Sequence, residues 1–154
     1  MGTGSWLQPL FVLEMVMTTM SLAPTVVSRT YSVGRALLGS LFLFSGLLKI
    51  GSFAAYSAWI ASAELPSPDL LLVLTIAVEI GGGLTLISGW SARLGALLLA
   101  LFLVPTTIIF HGFWRADPAD FMNQLNHILK NVSILGGMLV VFAIESSRMQ
   151  ARVP

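Results

Sequence analysis

Cysteine is absent from the 154 residues, which removes disulfides, thiol redox chemistry, thiolate metal sites and cysteine-ligated iron–sulfur clusters together. Charge is scarce: Asp, Glu, Lys and Arg make up 10% of the chain, and eight bases against seven acids leave a net charge of +1. A nucleic-acid surface has no electrostatic footing on such a chain. There is no low-complexity stretch and no internal repeat, which argues against the duplicated architecture of a full transporter. The first basic residue is Arg29, so the apolar stretch from Trp6 to Met20 lacks the positive leader of a secretory signal and reads as uncleaved. What is abundant is apolar: 56% hydrophobic residues and a mean hydropathy of +0.88 lie outside the range of a soluble domain. The length suits about four spans of ~20 residues with little left over, so any catalysis uses the bundle or a partner.

Punctuation within the chain divides it into those spans. Trp6–Met20 is short for a span and holds Pro9 and Glu14, so it reads either as a helix lying at the membrane interface or as sequence upstream of a start at Met15, Met17 or Met20. The first span begins around Val33 and runs through Leu48, and Lys49 is the only charge between Ala36 and Ala63. Gly51 and Ser52 offer a break, after which Phe53, Tyr56, Trp59 and Ile60 recur at helical spacing and predict a short amphipathic helix with interfacial aromatics. Ser67-Pro68-Asp69 combines an N-cap, a proline at the first helical position and an early acid, so the second span starts there and ends near Gly89-Trp90. The third span runs from Leu94 to about Phe110, with a kink expected at Pro105. Asp117-Pro118-Ala119-Asp120 repeats the capping pattern and predicts a fourth helix beginning there and continuing to about Ile144.

The expected fold class is therefore all-α: an integral membrane four-helix bundle with short interfacial helices at the N-terminus and between spans one and two. Arg29, Arg35, Arg93, Arg148 and Arg152 fall on one face and Arg115 on the other, so the positive-inside rule puts both termini in the cytoplasm. The expected organisation is an extension over residues 1–31, a membrane domain over 32–145 and a short cytoplasmic tail over 146–154.

Glu79 is the most informative residue, because it sits amid an otherwise uncharged run from Leu70 to Gly89. A carboxylate at bilayer depth is costly unless it finds a partner or water, which makes it a functional-site candidate. Lys130 lies at nearly the same offset from its expected helix start as Glu79 does from Ser67, so the two are expected to pair across adjacent helices. Such a pair can serve a ligand or simply fix helix register. Lys49 follows Arg35, Gly39, Phe42, Ser45 and Gly46 on one face of the first span; it either points inward beside Glu79 or snorkels to the headgroups. Asp120, Asn123, Gln124, His127, Lys130 and Asn131 form a polar stripe that must face water or a polar interior. His111 and His127 near one face admit bis-histidine haem ligation, though an anchoring role at the interface accounts for His111-Gly112-Phe113-Trp114 equally well. No carboxylate and histidine cluster points to a metal site. Gly81-Gly82-Gly83 and Gly136-Gly137 read as helix-packing positions, since no strand or nucleotide fingerprint accompanies them.

Taken in order, Arg35, Ser45-Gly46-Leu47-Leu48-Lys49, Leu65-Pro66-Ser67-Pro68, Glu79-Ile80-Gly81-Gly82-Gly83, Gly89 with Arg93, His111-Gly112-Phe113-Trp114 and Lys130-Asn131 with Gly136-Gly137 resemble the DoxX family of small four-helix membrane proteins. The resemblance spans about residues 32–144; the first ~30 residues lie outside it, and His127 is not part of the pattern. It implies a multi-pass protein of a bacterial or archaeal cytoplasmic membrane, within a functionally mixed family that includes a membrane subunit of a thiosulfate:quinone oxidoreductase. The expected function is a redox-associated membrane subunit whose buried polar site, drawn from Lys49, Glu79, His111, His127, Lys130 and Asn131, takes a quinone or a small polar or sulfur-containing ligand. A partner oxidoreductase would supply the redox chemistry, with no intrinsic cofactor expected. The alternatives are an assembly or stabilising subunit without catalysis, and permeation of a small solute.

Overall fold

The computed structural model describes residues 7–151, with side chains described from residue 25 onward and at Met15. Two compact units divide after Gly34. The described part of the first is helical backbone, the beginning of α1 (Leu7–Gly51). No glycine occurs between Gly4 and Gly34, and α1 carries no break where a separate N-terminal helix was expected to end. The expected roles of Pro9 and Glu14 fall on side chains outside those described.

The second unit, residues 35–154, carries the rest of α1 followed by α2 (Phe53–Ser62), α3 (Pro68–Ser88), α4 (Ala92–Phe110), a 3-10 turn at Phe113–Arg115, and α5 (Phe121–Gln150). The described residues contain no strand. Four stretches are long and apolar enough to cross a membrane: Thr25–Gly51, Pro68–Ser88, Ala92–Arg115 and Phe121–Gln150.

Lipid is as apolar as leucine, so these helices hold together by close packing more than by the hydrophobic effect. Gly39 of α1 and Gly83 of α3 bring two backbones close, and a Cβ on either would lie 2.6 Å or 2.7 Å from the other's carbonyl oxygen. Leu72 and Leu86 from α3, Leu99 from α4 and Met138 from α5 are completely enclosed between the helices. Of the other expected packing glycines, Gly82 abuts Leu99 and Gly137 abuts Leu38, whereas Gly81 and Gly136 meet no neighbour at all. Gly89 ends α3 in the left-handed conformation (φ 83°) with its N–H on Thr85 O, and the Arg35 guanidinium packs against it.

The second span starts at Pro68 as expected, without the expected side-chain cap: Ser67 is left-handed (φ 51°). The fourth helix begins at Phe121, not at Asp117: residues 117–120 form a turn in which the N–H groups of Asp120 and Phe121 both donate to Asp117 O. The Asp120 carboxylate is engaged elsewhere, by the amides of Asn123 (2.9 Å) and Gln124 (2.7 Å), and those two hydrogen bonds, Gln124's first, hold its carboxyl below the usual aspartate range. Pro105 lies inside α4 without ending it. The hydroxyls of Thr106 and Thr107 donate to the carbonyls of Phe102 and Leu103 in the turn before it.

Candidate functional site

Helix geometry selects the partner of Glu79. In an α-helix the Cα–Cβ bond tilts toward the N-terminus, so Lys49, near the end of α1, extends back along its own helix toward Ser45. Gly46 sets α1 against Glu79 and Ile80 at that level. The Lys49 ammonium donates to both carboxylate oxygens of Glu79, at 3.0 and 2.9 Å, and to the Ser45 hydroxyl at 2.7 Å, while Ser45 donates to Glu79 at 3.1 Å. Both charged side chains are withdrawn from the surface, 13% and 6% exposed. The Tyr56 ring lies 5.2 Å from the same ammonium. Lys49 thus points inward and does not snorkel.

The expected Glu79–Lys130 pair does not form. Counted from the observed helix starts, Glu79 is eleven positions beyond Pro68 but Lys130 only nine beyond Phe121, a difference of about 3 Å along the axis. Lys130 instead donates to His127 Nδ1 at 3.2 Å. His127 and His111 stack nearly parallel, 4.4 Å between centroids, and His111 Nδ1 meets Gln124 Oε1 at 3.2 Å. Asn131 turns to α4 and donates to Thr107 Oγ1 at 3.0 Å.

All but one of the expected site residues line one cavity of about 590 Å³: Lys49, Glu79, His111, Lys130 and Asn131 stand in its wall, and His127 lies behind, stacked on His111. The size suits a small organic ligand. At one end of the cavity are these polar groups with Tyr56 and Trp59; toward the other, α1 contributes Leu37, Leu41 and Phe44, and α5 contributes Ile134. From Leu37 to Lys49 the helix rises about 18 Å over its twelve residues, so the space is long, polar at one end and apolar along its length. Leu37, Leu41 and Phe44 are exposed and face outward where a bilayer's acyl chains would lie. The charged residues of the wall are Lys49, Glu79 and Lys130, two cations and one anion, a sum of +1.

Sequence reasoning passed over Gln124, which orients His111, and the part that Trp59 plays in the wall, packed at a tilt against Phe110 with 4.4 Å between ring centroids. Helical spacing carried a signal for Gln124, which stands on the polar stripe one turn before His127. None identified Trp59, whose spacing fits an interfacial anchor equally well. Among the described residues, no cluster of three or more His, Asp or Glu side chains is arranged to hold a metal ion.

The DoxX family model matches residues 31–112, a stretch that includes Lys49, Glu79 and His111 and stops before α5. The chain is 33% identical over 109 residues to the inner membrane protein YqjF of Escherichia coli (strain K12), an alignment covering 71% of this chain and 78% of that protein. Over a stretch of the same extent it is 24% identical to the inner membrane protein YphA of Escherichia coli (strain K12), again 71% and 78% of the two chains. No solved structure matches it.

Proposed function

The chain belongs to the DoxX family of membrane proteins, and from that premise we propose that its cavity receives the head group of a lipid-borne quinone in the inner membrane, on behalf of a partner oxidoreductase. The observation that carries this reading is the shape and chemistry of the 590 Å³ cavity, polar at one end and continuing as an apolar trough along Leu37, Leu41 and Phe44. A quinone has the matching form: a ring with two oxygens and a hydrocarbon tail. Lys130 and Asn131 donate to the ring oxygens, Trp59 offers a face for the ring, and the tail lies in the trough. Lys49, held by Glu79 and Ser45, keeps the polar end charged at no net cost in unpaired ions. The surplus positive charge favours ring oxygens as they become electron-rich. Electron transfer belongs to the partner.

Orientation is part of the proposal. Arg35, Gly89 and Arg93 mark one end of α3 and α4, Asp69 and Asp120 the opposite ends of α3 and α5, so both termini are cytoplasmic and the head-group end faces the outer leaflet. The alternative of haem between His111 and His127 gains nothing from rings stacked face to face, since axial ligation needs two nitrogens aimed at one iron from opposite sides. An assembly subunit is the second reading, favoured by the Lys49–Glu79 pair, which fixes α1 on α3 whether or not a ligand is present.

Purified protein in detergent is expected to bind a short-tailed quinone, measured by calorimetry. Lys130→Met should weaken it roughly tenfold or more, the range for a hydrogen bond to a charged donor. Wild-type protein that binds no quinone, tailed or tailless, would leave the assembly reading in its place.

A further inference from the structure

The hydrogen bonds around the two histidines fix where their protons are. An ionised Asp120 carboxylate only accepts, so the Gln124 amide must turn its NH2 toward it (2.7 Å) and its carbonyl toward His111. That carbonyl also only accepts, so His111 Nδ1 carries the proton that closes the 3.2 Å contact. In its neutral form the ring then has its lone pair on Nε2. Nothing among the described residues hydrogen-bonds to Nε2, and His111 is a wall of the cavity. The Lys130 ammonium only donates, so His127 Nδ1 is the acceptor of that contact. The stack on His127 fixes the plane of the His111 ring as Gln124 fixes its rotation about that plane.

We propose that His111 presents Nε2 to the cavity as a hydrogen-bond acceptor, held in that tautomer by Gln124 and Asp120, so that the site selects a ring bearing a free hydroxyl. The inference rests on the head-group reading above and narrows it. Beside His111, Lys130 faces a ligand as a donor, whereas the three Lys49 hydrogens are spent on Ser45 and the two Glu79 oxygens and one Asn131 amide hydrogen goes to Thr107 Oγ1. Among the described residues of that wall, His111 Nε2 is the nitrogen that offers a lone pair. A fully ketonic quinone has no hydrogen to give it, whereas a hydroquinone donates one hydroxyl to His111 Nε2 and offers its second oxygen to Lys130. Gln124 and Asp120 are positioning residues: they act on the ligand only through the imidazole.

Two measurements test this. Nitrogen-15 spectra of protein labelled at its two histidines, assigned with a His127→Gln variant, are expected to show His111 protonated at Nδ1 and bare at Nε2 in the unliganded wild type. In Gln124→Leu that preference is expected to disappear. Calorimetric titration with a short-tailed hydroquinone and its dimethyl ether is expected to give roughly tenfold tighter binding of the hydroquinone to wild type, as one hydrogen bond warrants, and near-equal binding to His111→Phe. A His111 ring protonated at Nε2 in wild type overturns the inference without any ligand. Equal binding of hydroquinone and ether to wild type overturns it while leaving the head-group reading intact; binding of neither overturns both.

Discussion

Replacing Glu79 with Gln keeps the shape of the side chain and removes its charge, and the consequences can be worked from four hydrogen bonds. Lys49 loses a carboxylate that accepted at 3.0 and 2.9 Å and retains the Ser45 oxygen at 2.7 Å, with one amide carbonyl in place of two anionic oxygens. In either orientation the amide NH2 then faces the ammonium, donor against donor. Stranding one member of a buried ion pair costs about 3 to 5 kcal/mol, and Lys49, at 13% exposure, has little access to water to reduce that. Lys49→Met strands the carboxylate and should cost a similar amount. The double variant leaves no unpaired ion, so the two changes are expected to be non-additive by up to about 3 kcal/mol. Reversible unfolding of the purified protein in mixed micelles, followed by circular dichroism against increasing denaturing detergent, reads all four corners of the cycle. The control is a second cycle, Glu79→Gln with Lys130→Met, which should be additive within about 0.5 kcal/mol because Lys130 bonds to His127 and not to Glu79. Additivity with Lys49 and coupling with Lys130 would refute the pairing and restore the one expected from the sequence.

Three further outcomes follow from individual contacts. Gly83→Ala places a Cβ 2.7 Å from the Gly39 carbonyl and should destabilise by about 1 to 3 kcal/mol, whereas Gly81→Ala meets nothing and should be neutral or stabilising by up to about 1 kcal/mol; equal effects in the same unfolding assay would contradict the α1–α3 contact. Asp120, with its carboxyl lowered chiefly by Gln124, stabilises the start of α5 above the ordinary aspartate value near pH ~3.9, and that contribution is lost as pH falls through its lowered value; a carboxyl carbon-13 titration midpoint at or above the free-peptide value would refute this. An anionic hydroxyquinone should bind more tightly to Glu79→Gln and more weakly to Lys130→Met, since one charge at roughly 6 Å and an effective dielectric of about 20 is worth ~3 kcal/mol. Changes in the same direction in both variants would show that the net charge of the cavity does not act on the ligand.

How far the sequence discloses this molecule depends on the range of the interaction involved. Span number, the start of α2 and both ends of α3 were readable because local signals set them: the apolar runs, the break at Gly51-Ser52, Pro68 at the first position of its helix and Gly89 after its last. The start of α5 was misplaced by four residues, since Asp117-Pro118 and Asp120 are both plausible caps and only the turn linking Phe121 N–H to Asp117 O decides between them. Five of the six candidate residues line one cavity because polar groups in an apolar chain have few places to go. Which cation meets Glu79 was not readable. That choice turns on how α1 sits against α3 at Gly46 and on the backward tilt of the Lys49 side chain, neither of which a residue count along α3 and α5 contains.

The cavity itself follows from a mismatch in helix length. Arg35 packs on Gly89, so α1 and α3 start level at that end. From there α3 runs 21 residues, Pro68–Ser88, or about 32 Å, while α1 from Arg35 to Gly51 has only 17, or about 26 Å. The chain covers the shortfall by breaking at Ser52 and continuing as α2, tied to the opposite end of α3 by the Ser57 hydroxyl donating to Asp69. A straight α1 would have carried its side chains past Glu79 at regular intervals. The break instead puts a helix C-terminus, with its partial negative charge, next to the level where Lys49 and Glu79 meet. A cation in the last turn is the residue such an end favours, and Lys49 is that cation. The same break swings Tyr56 and Trp59 over the space above the ion pair, where a continuous helix would have placed them beyond it. One interruption in the backbone therefore stabilises the buried charge and also supplies the aromatic wall of the cavity beside it.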